Sequence, residues 1–205
     1  MTGSAVGLEW EDRNVPAIIN AWYAGQAGGD AVADVIFGDY NPAGRLPVTF
    51  YRSVADLPDF EDYSMEGRTY RYFRGKPVYA FGHGLSYTDF NYSDLRISLL
   101  GDGSLKVSVK VTNSGERDGD EVVQLYISND RKFRTPIRSL KGFDRISLKA
   151  GESVDVVYTV APDELTVVDQ KGASVPMKGR ITVSVGGGQP GYASDCLMTE
   201  VNYRR

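Results

Sequence analysis

The second half of the chain alternates between apolar and polar residues with a period of two, which is the pattern of β-strands that bury one face. The clearest alternation occupies residues 105–112, 123–128, 154–160 and 181–185, and weaker strand-like segments occupy residues 92–100, 140–146 and 165–168. About seven short strands without helices in roughly 100 residues are typical of an immunoglobulin-like β-sandwich. The pattern therefore predicts an all-β sandwich over residues 90–205.

Cysteine usage refines this prediction. The chain has a single cysteine, Cys196, so the paired cysteines that flank the tryptophan of antibody domains are absent. A fibronectin type III-like sandwich therefore fits better. The lone cysteine also excludes an internal disulfide and a thiolate metal site.

The first 51 residues follow a different pattern. Residues 15–23 are apolar and β-prone, which predicts a buried strand of the parallel type, although a short helix fits the same run. Residues 1–7 have the character of a strand end with its glycine turn, and residues 46–51 predict another short strand.

A helix is predicted within residues 25–38. Val32, Val35 and Ile36 fall on one face at helical spacing, and Asp30 lies in the first turn, where a negative charge is favoured. Gly38 suits the left-handed position after the last turn. These elements are too few to fold alone, so the predicted fold class is mixed: a truncated α/β layer over residues 1–51, followed by the sandwich.

Residues 52–89 join the two parts and show no clean period. A connector of this length without its own elements is uncommon in a compact domain. It is rich in aromatic residues, and we expect it to be ordered by packing against a neighbouring layer.

Composition limits the classes of partner. The net charge is −4 and the basic residues are scattered, which argues against nucleic acid as a partner. No apolar run approaches the ~18 residues that a membrane span needs. The chain has one histidine, His83, which excludes a zinc site built on several histidines. Neither a metal nor a cofactor is predicted.

Two groups of residues are candidates for contact with a sugar. Glu9, Trp10 and Glu11 place an indole between carboxylates, directly after a predicted strand, where ligands of α/β sheets usually bind. Arg68 and Tyr70 belong to an aromatic run, residues 63–87, that could form a sugar platform. For both groups we favour the simpler interpretation, a surface loop with a packed indole and an aromatic layer that joins two parts of the molecule.

The other polar residues are weaker candidates for a functional site. Four acids in the connector could pair for glycoside hydrolysis, but a solvated acidic loop balanced by arginines is the better interpretation. They are Asp59, Glu61, Asp62 and Glu66. His83 lies between two glycines without an orienting partner at a recognisable spacing, so we interpret it as a turn residue. From the residues alone, no catalytic constellation is predicted.

Several motifs, in the same order, closely resemble glycoside hydrolase family 3. They are residues 21–29, residues 31–50, residues 67–73 (Gly-Arg-Thr-Tyr-Arg-Tyr-Phe) and residues 79–88 (Tyr-Ala-Phe-Gly-His-Gly-Leu-Ser-Tyr-Thr). The last motif departs from the family's usual form, which has Pro where Ala80 stands and Tyr where His83 stands. Residues 109–118, 122–127 and 140–143 resemble the fibronectin type III-like domain that ends many of these enzymes.

This resemblance implies a retaining β-glycosidase, commonly a β-glucosidase or a β-xylosidase. Such enzymes join an N-terminal barrel with a nucleophilic Asp, an α/β sandwich domain with a general acid/base Glu, and the fibronectin-like domain. The resemblance implies that this chain starts after both catalytic positions, so neither role passes to any residue here. We expect a C-terminal fragment that is inactive alone.

The sequence therefore predicts the structural rear part of a glycosidase for plant-type oligosaccharides. Its expected partner is the N-terminal barrel of the same parent chain, with an oligosaccharide bound only by the full-length enzyme. The resemblance implies that the parent is exported, either periplasmic or secreted. The sequences of residues 53–62 and 67–73 look most like those of the bacterial xylosidase branch of the family.

Two alternatives stay open. The sandwich could be a carbohydrate-binding module, which would need exposed aromatic residues on one sheet face and has Tyr126 and Tyr158 as its few candidates, or a purely structural or oligomerisation domain. In addition, the edge of the truncated α/β layer would expose apolar surface from residues 15–23 and 32–37. We therefore expect this surface either to pair with a second copy of the chain or to pack on the chain's own sandwich.

Overall fold

Two β-sheets packed face to face form the second half of the chain in the computed structural model, which describes residues 1–129, 135–193 and 195–204. The strands are β1 (Phe90–Leu99), β2 (Leu105–Asn113), β3 (Gly119–Asn129), β4 (Ser139–Leu148), β5 (Ser153–Val160), β6 (Thr166–Val168), β7 (Ser174–Pro176), β8 (Gly179–Gly186) and β9 (Leu197–Tyr203). One sheet has the order β1-β2-β5 and the other the order β4-β3-β8-β9, while β6 and β7 form a small hairpin.

The core lies between the two sheets and is built from the alternating positions. Val107 and Val109 of β2 face the same core as Leu125 and Ile127 of β3 and Val183 of β8, and all are fully or almost fully buried. The antiparallel register pairs Leu125 with Val185 and Ile127 with Val183. Burial of these branched apolar side chains is the main force that holds the sandwich together.

Strand β3 departs from the simple alternating pattern because both of its faces are covered. Val123, Leu125 and Ile127 face the sandwich core, but Gln124 and Tyr126 on the opposite face are also buried. The connector packs on this second face. The outer face of β3, which carries the polar positions of its alternation, therefore forms an interdomain surface and is not exposed to solvent.

The first part of the chain contains three short helices and a 3-10 turn. They are α1 (Glu9–Asn14), α2 (Gly28–Phe37), α3 (Thr69–Tyr72) and the turn at Val54–Asp56. The helix predicted within residues 25–38 is confirmed: α2 has Asp30 in its first turn and ends at Gly38, whose φ is 82°. None of the helices in the described ranges is long and apolar enough to cross a bilayer.

The strands predicted in residues 1–7 and 15–23 do not form. Both segments are irregular, and residues 15–19 are exposed. A parallel-type strand needs neighbours on both sides to pair its backbone and bury its side chains. The described residues supply no such neighbours, so the prediction was wrong, and residues 9–14 form a helix that the pattern did not indicate.

The strand predicted at residues 46–51 forms only a short stretch of backbone hydrogen bonds with an isolated bridge between Phe50 and Tyr79. Leu46 N–H donates to His83 O, Phe50 N–H donates to Tyr79 O, and Val78 N–H donates back to Phe50 O. The extended segment therefore pairs antiparallel with the connector. This pairing holds residues 78–83 in place above strand β3.

Candidate functional site

The predicted sugar contacts in helix α1 take part in local ion pairs and hydrogen bonds. Glu9 Oε1 pairs with Arg13 at 2.6 Å and with Arg52 at 3.2 Å. Trp10 is 66% exposed. Glu11 is half-buried and accepts, through its backbone carbonyl, the N–H of Val15. The assignment of Glu9, Trp10 and Glu11 to the substrate side stays a prediction.

Arg68 orders the acidic loop through its backbone, and its charge also favours the ionised Asp62 carboxyl. Its guanidinium donates to the backbone carbonyls of Asp59, Asp62 and Ser64 at 2.7 to 3.2 Å. The hydrogen bonds that Ser64 donates lower the pKa of the Asp62 carboxyl. The loop is thus a solvated acidic turn tied at its base by one arginine.

Tyr70 lies against the sandwich. Its ring stacks on Phe81, with centroids 4.3 Å apart, and meets Tyr126 edge-on at 6.1 Å. Its hydroxyl accepts the backbone N–H of Leu140 in strand β4. This packing agrees with the interpretation of the aromatic run as a layer that joins two parts of the molecule. Within the described part of the chain, Arg68 and Tyr70 form no hydrogen bond, ion pair or ring contact with Glu9, Trp10 or Glu11.

Tyr126 and Tyr158 are not exposed, so the alternative of a carbohydrate-binding module loses its candidate aromatic residues. Both rings are buried. The Tyr126 hydroxyl donates to Gln124 Oε1 at 2.7 Å, and the Tyr158 hydroxyl donates to the carbonyl of Val123 at 3.0 Å. Tyr158 belongs to the sandwich core and Tyr126 to the surface beneath the connector, where neither can stack on a ligand.

A buried ion pair between residues far apart in the sequence joins the two parts of the molecule. Arg45 Nη2 donates to Glu121 Oε2 at 2.7 Å, and the two side chains are 10% and 2% exposed. The Tyr92 hydroxyl donates to the other oxygen of Glu121 at 2.8 Å. Burial raises the pKa of the Glu121 carboxyl, while Arg45 and Tyr92 oppose this rise.

One signal in the sequence marks Glu121. It stands in phase with Val123, Leu125 and Ile127, so the alternation of β3 places a carboxylate on the inward face. A buried charge requires a partner. Arg45 is its partner, 76 residues earlier in the chain, and only the fold shows that the two side chains meet.

The connector approaches strand β3 most closely at Gly82. Gln124 Nε2 donates to the carbonyls of Gly82 and Gly187 at 3.1 and 3.0 Å. Gly82 has φ +77°, and a Cβ there would lie 2.2 Å from Gln124 Oε1. Glycine is required at this position both by backbone conformation and by the close approach.

His83 follows Gly82 and is half-buried. Its ring stacks on Tyr79, with centroids 5.2 Å apart. Burial and the nearby Arg45 charge lower the pKa of the His83 imidazole, and Asp12 acts weakly in the other direction. The interpretation as a turn residue agrees with this packing, which also favours the neutral ring.

A polar cleft of about 340 Å³ opens beside the ion pair. Arg45, from the segment after helix α2, and the connector, including His83, form one wall of this cleft. Strand β3 and the loop after β8 supply the other, including Glu121, Gln189, Tyr192 and Asp195. No group of three or more His, Cys, Asp or Glu side chains within the described ranges could hold a metal ion.

Comparison with known proteins identifies the family. Residues 1–87 match the family model described as the glycosyl hydrolase family 3 C-terminal domain, and residues 121–189 match a fibronectin type III-like domain. These matches confirm the predicted fold class, a truncated α/β part followed by a fibronectin type III-like sandwich. The division at residues 1–51, 52–89 and 90–205 stays a prediction.

Named relatives are glycosidases. A xylan 1,4-beta-xylosidase from Xylanibacter ruminicola is 47% identical over 169 residues, which cover 82% of this chain and 20% of the relative. A periplasmic beta-glucosidase from Salmonella typhimurium is 39% identical, with 91% of this chain and 26% of the relative covered.

A solved structure has the same fold. The beta-glucosidase 3B of Thermotoga neapolitana superimposes with a TM-score of 0.88 at 34% identity, covering all of this chain and 30% of that protein. The chain thus spans about a fifth to a third of the length of these relatives. On this evidence of motif, fold and sequence identity, the chain belongs to glycosyl hydrolase family 3 and corresponds to its C-terminal domain followed by a fibronectin type III-like domain.

Proposed function

We propose that the chain is the structural C-terminal part of a retaining β-glycosidase that hydrolyses plant-type oligosaccharides, as a β-xylosidase or a β-glucosidase. The names of the relatives support this substrate class. The N-terminal barrel of the parent chain would carry the nucleophile, and the parent would be exported, as the name of the periplasmic relative supports.

The distribution of exposed apolar side chains carries the proposal. Among the described residues, sixteen of the twenty-six exposed large hydrophobic side chains fall within residues 1–65. They include Phe37, Phe60 and Tyr63, all at least four-fifths exposed, whereas the sandwich encloses a continuous apolar core. So concentrated an apolar surface is typical of a protein interface. The remainder of an α/β domain would cover it.

We expect that the carboxyl groups of this chain do not supply the chemistry of a retaining enzyme. That mechanism needs two accessible carboxyl groups about 5 Å apart, one with a raised pKa. Glu121 has a raised pKa, but both of its oxygens are hydrogen-bonded and its side chain is 2% exposed. We infer that it stabilises the domain junction and that the catalytic acids belong to the parent enzyme.

The test is hydrolysis by the purified chain. We expect no turnover of an aryl β-xyloside or an aryl β-glucoside, because the nucleophile and the acid/base are supplied by other parts of the parent. A version extended by the coding sequence upstream of Met1 should be active. Turnover by the chain alone that disappears in Glu9→Gln, Glu11→Gln or Glu121→Gln would contradict the proposal, as would an upstream sequence that encodes no barrel.

Of the alternatives, a carbohydrate-binding module on the sandwich face loses its basis because Tyr126 and Tyr158 are buried. An oligomerisation role keeps support from the exposed apolar surface of the first part. That surface also underlies the self-association that is tested below.

A further inference from the structure

A second cleft, of about 220 Å³, opens where helix α3 meets the sandwich, and it shares no lining residue with the cleft beside the ion pair. Arg71 and Tyr72 of α3, Lys141 of β4 and Val168 of β6 are among its lining residues. The backbone carbonyl of Arg71 accepts the N–H of Ile137, so the helix is fixed beside the start of β4. The cleft is therefore built from separate elements that the fold holds together.

The charged side chains in the described lining of this second cleft are both cations. They are Arg71 and Lys141, and the described lining contains no Asp or Glu. Lys141 Nζ donates to the backbone carbonyl of Glu164, and the Arg71 guanidinium lies 5.9 Å from the centroid of the Tyr72 ring. Within the described part of the chain, neither cation forms an ion pair with a carboxylate. The positive charge of the cleft therefore lacks a counter-ion.

The missing counter-ion points to an anionic ligand. Lys141 is half-buried, and burial together with the nearby Arg71 charge lowers the pKa of its ammonium group, while Glu164 and Asp163 act in the opposite direction. Like charges that are partly withdrawn from water disfavour each other, and charges in such places usually have a partner. A ligand can reach both groups, because Arg71 is exposed and Lys141 is only partly covered. An anion in the cleft would neutralise the two cations together.

The second cleft also has apolar surface that solvent reaches. Val168 is 59% exposed and Tyr72 is half-buried, while Val167 and Met177 line the cleft as buried residues. A simple inorganic ion would leave the exposed apolar surface in water, whereas an organic acid would cover it. The Arg71 guanidinium can bind a carboxylate through two parallel hydrogen bonds. The volume lies below the ~300 Å³ at which sites for drug-sized ligands begin, so the ligand must be compact.

We propose that this second cleft binds a compact organic monocarboxylate, with the carboxylate on Arg71 and Lys141 and the apolar body against Tyr72 and Val168. This inference rests on the charges and the apolar surface of the cleft and does not depend on the hydrolase assignment. Its test measures binding rather than hydrolysis, so the two can fail separately.

The experiment is an NMR titration of the ¹⁵N-labelled chain with benzoate, benzamide and acetate, each up to about 50 mM, well above millimolar dissociation constants. The ionic strength is held constant, because salt screens exposed charges. We expect benzoate to cause saturable shifts of the amides of Tyr72, Lys141 and Val168. Benzamide has the same shape without the charge, and acetate has the charge without the ring. Each should therefore bind about tenfold more weakly than benzoate.

Two cleft variants and a matched control complete the design. Lys141→Met keeps the aliphatic stem and removes the charge, and it should weaken benzoate binding about tenfold. Arg71→Leu should have a similar effect, and it changes an exposed position, so it tests the charge without disturbing the half-buried lysine. Lys106→Met removes an exposed lysine on the outer face of the other sheet, outside the cleft, and should bind benzoate as the unaltered chain does.

Four results would overturn the proposal. One is the absence of saturable shifts with benzoate, and another is benzoate binding of unchanged affinity in both cleft variants. Benzamide binding as tightly as benzoate would show that the site does not recognise the charge. Acetate binding as tightly as benzoate would show that the apolar surface takes no part.

Discussion

Arg45 and Glu121 form the buried ion pair between the segment that follows helix α2 and strand β3. Their charges are withdrawn from water, so the cost of removing one partner is dominated by the charge left behind. Tyr92 and Gly187 complete the hydrogen bonding of the pair. For an ion pair, the burial of the two charges rather than the distance between them therefore determines how much stability a substitution costs.

We expect Arg45→Ala to lower the free energy of unfolding by about 3–5 kcal/mol, the usual loss when one member of a buried pair is removed. Urea denaturation followed by tryptophan fluorescence and circular dichroism measures this. The control is Lys110→Ala, which breaks the exposed pair with Asp94 and should cost less than about 1 kcal/mol. Equal losses in the two variants would contradict the assigned role.

His83 makes a second prediction at this scale, because the chain has no other histidine. Burial holds its folded-state pKa below 6.5, so the folded state takes up its proton at lower pH than the unfolded state. Stability should therefore fall as the pH decreases from about 6.5 through the folded pKa, and should be independent of this group above 6.5.

NMR titration of the single imidazole resonance checks the direction of the pKa shift. His83→Tyr places at this position the residue of the usual family motif, and should remove this contribution to the pH dependence of unfolding while preserving a ring against Tyr79. An imidazole pKa at or above 6.5 would be incompatible with the packing described here.

At the scale of elements, the connector is held by aromatic contacts and by a local irregularity of the sheet. The register of β3 and β4 shifts between Leu125 and Tyr126. At this shift the N–H of Leu140 is available to Tyr70. Helix α3 is thereby fixed to the edge strand of the sandwich, with Tyr70 packed between Phe81 and Tyr126.

Tyr70→Ala should destabilise the chain by about 2–4 kcal/mol, somewhat less than a fully buried aromatic residue, because Tyr70 is half-buried. Tyr70→Phe keeps the ring and leaves the Leu140 N–H without its acceptor, for a loss of about 1 kcal/mol. The matched control Tyr63→Ala should change the unfolding free energy by no more than about 0.5 kcal/mol. Thermal and urea unfolding would measure all three, and a negligible effect of Tyr70→Ala would show that the ring does not hold the connector.

At the scale of the whole molecule, the two parts have unequal surfaces. The sandwich encloses a continuous core, while helix α2 has no buried residue and leaves Ile36 and Phe37 exposed. The strand edge expected in residues 1–51 does not form, so self-association would use apolar side chains rather than strand pairing. The same surface would be covered in the parent enzyme.

We expect the isolated chain to show a mass that increases with concentration in light scattering, because exposed apolar patches associate in water. Phe37→Ser should shift the mass toward that of a monomer. Phe143→Ser, which removes an exposed phenylalanine from strand β4, should leave the association unchanged. A monomeric mass over the whole concentration range would contradict this expectation.

The sequence by itself determined the elements whose stability depends on local pattern. The local sequence predicts strands β2, β3, β5 and β8 because apolar and polar residues alternate along each of them. It predicts helix α2 because apolar residues recur on one face and a glycine follows the last turn. The long family motifs likewise carried the assignment to the family. Strand β9, by contrast, lies at a sheet edge and is mostly exposed, so its residues alternate too weakly to be recognised.

Only the tertiary structure decided which surfaces are covered. Residues 15–23 are apolar enough for a buried strand but find no neighbours with which to pair. Tyr126 occupies a polar-face position yet is buried, because the connector packs over it. Arg45 meets Glu121 across 76 residues, and their pairing creates one wall of the cleft. Local pattern specifies secondary structure because neighbours in the chain share a geometry, whereas burial and partnership depend on which distant segments come together.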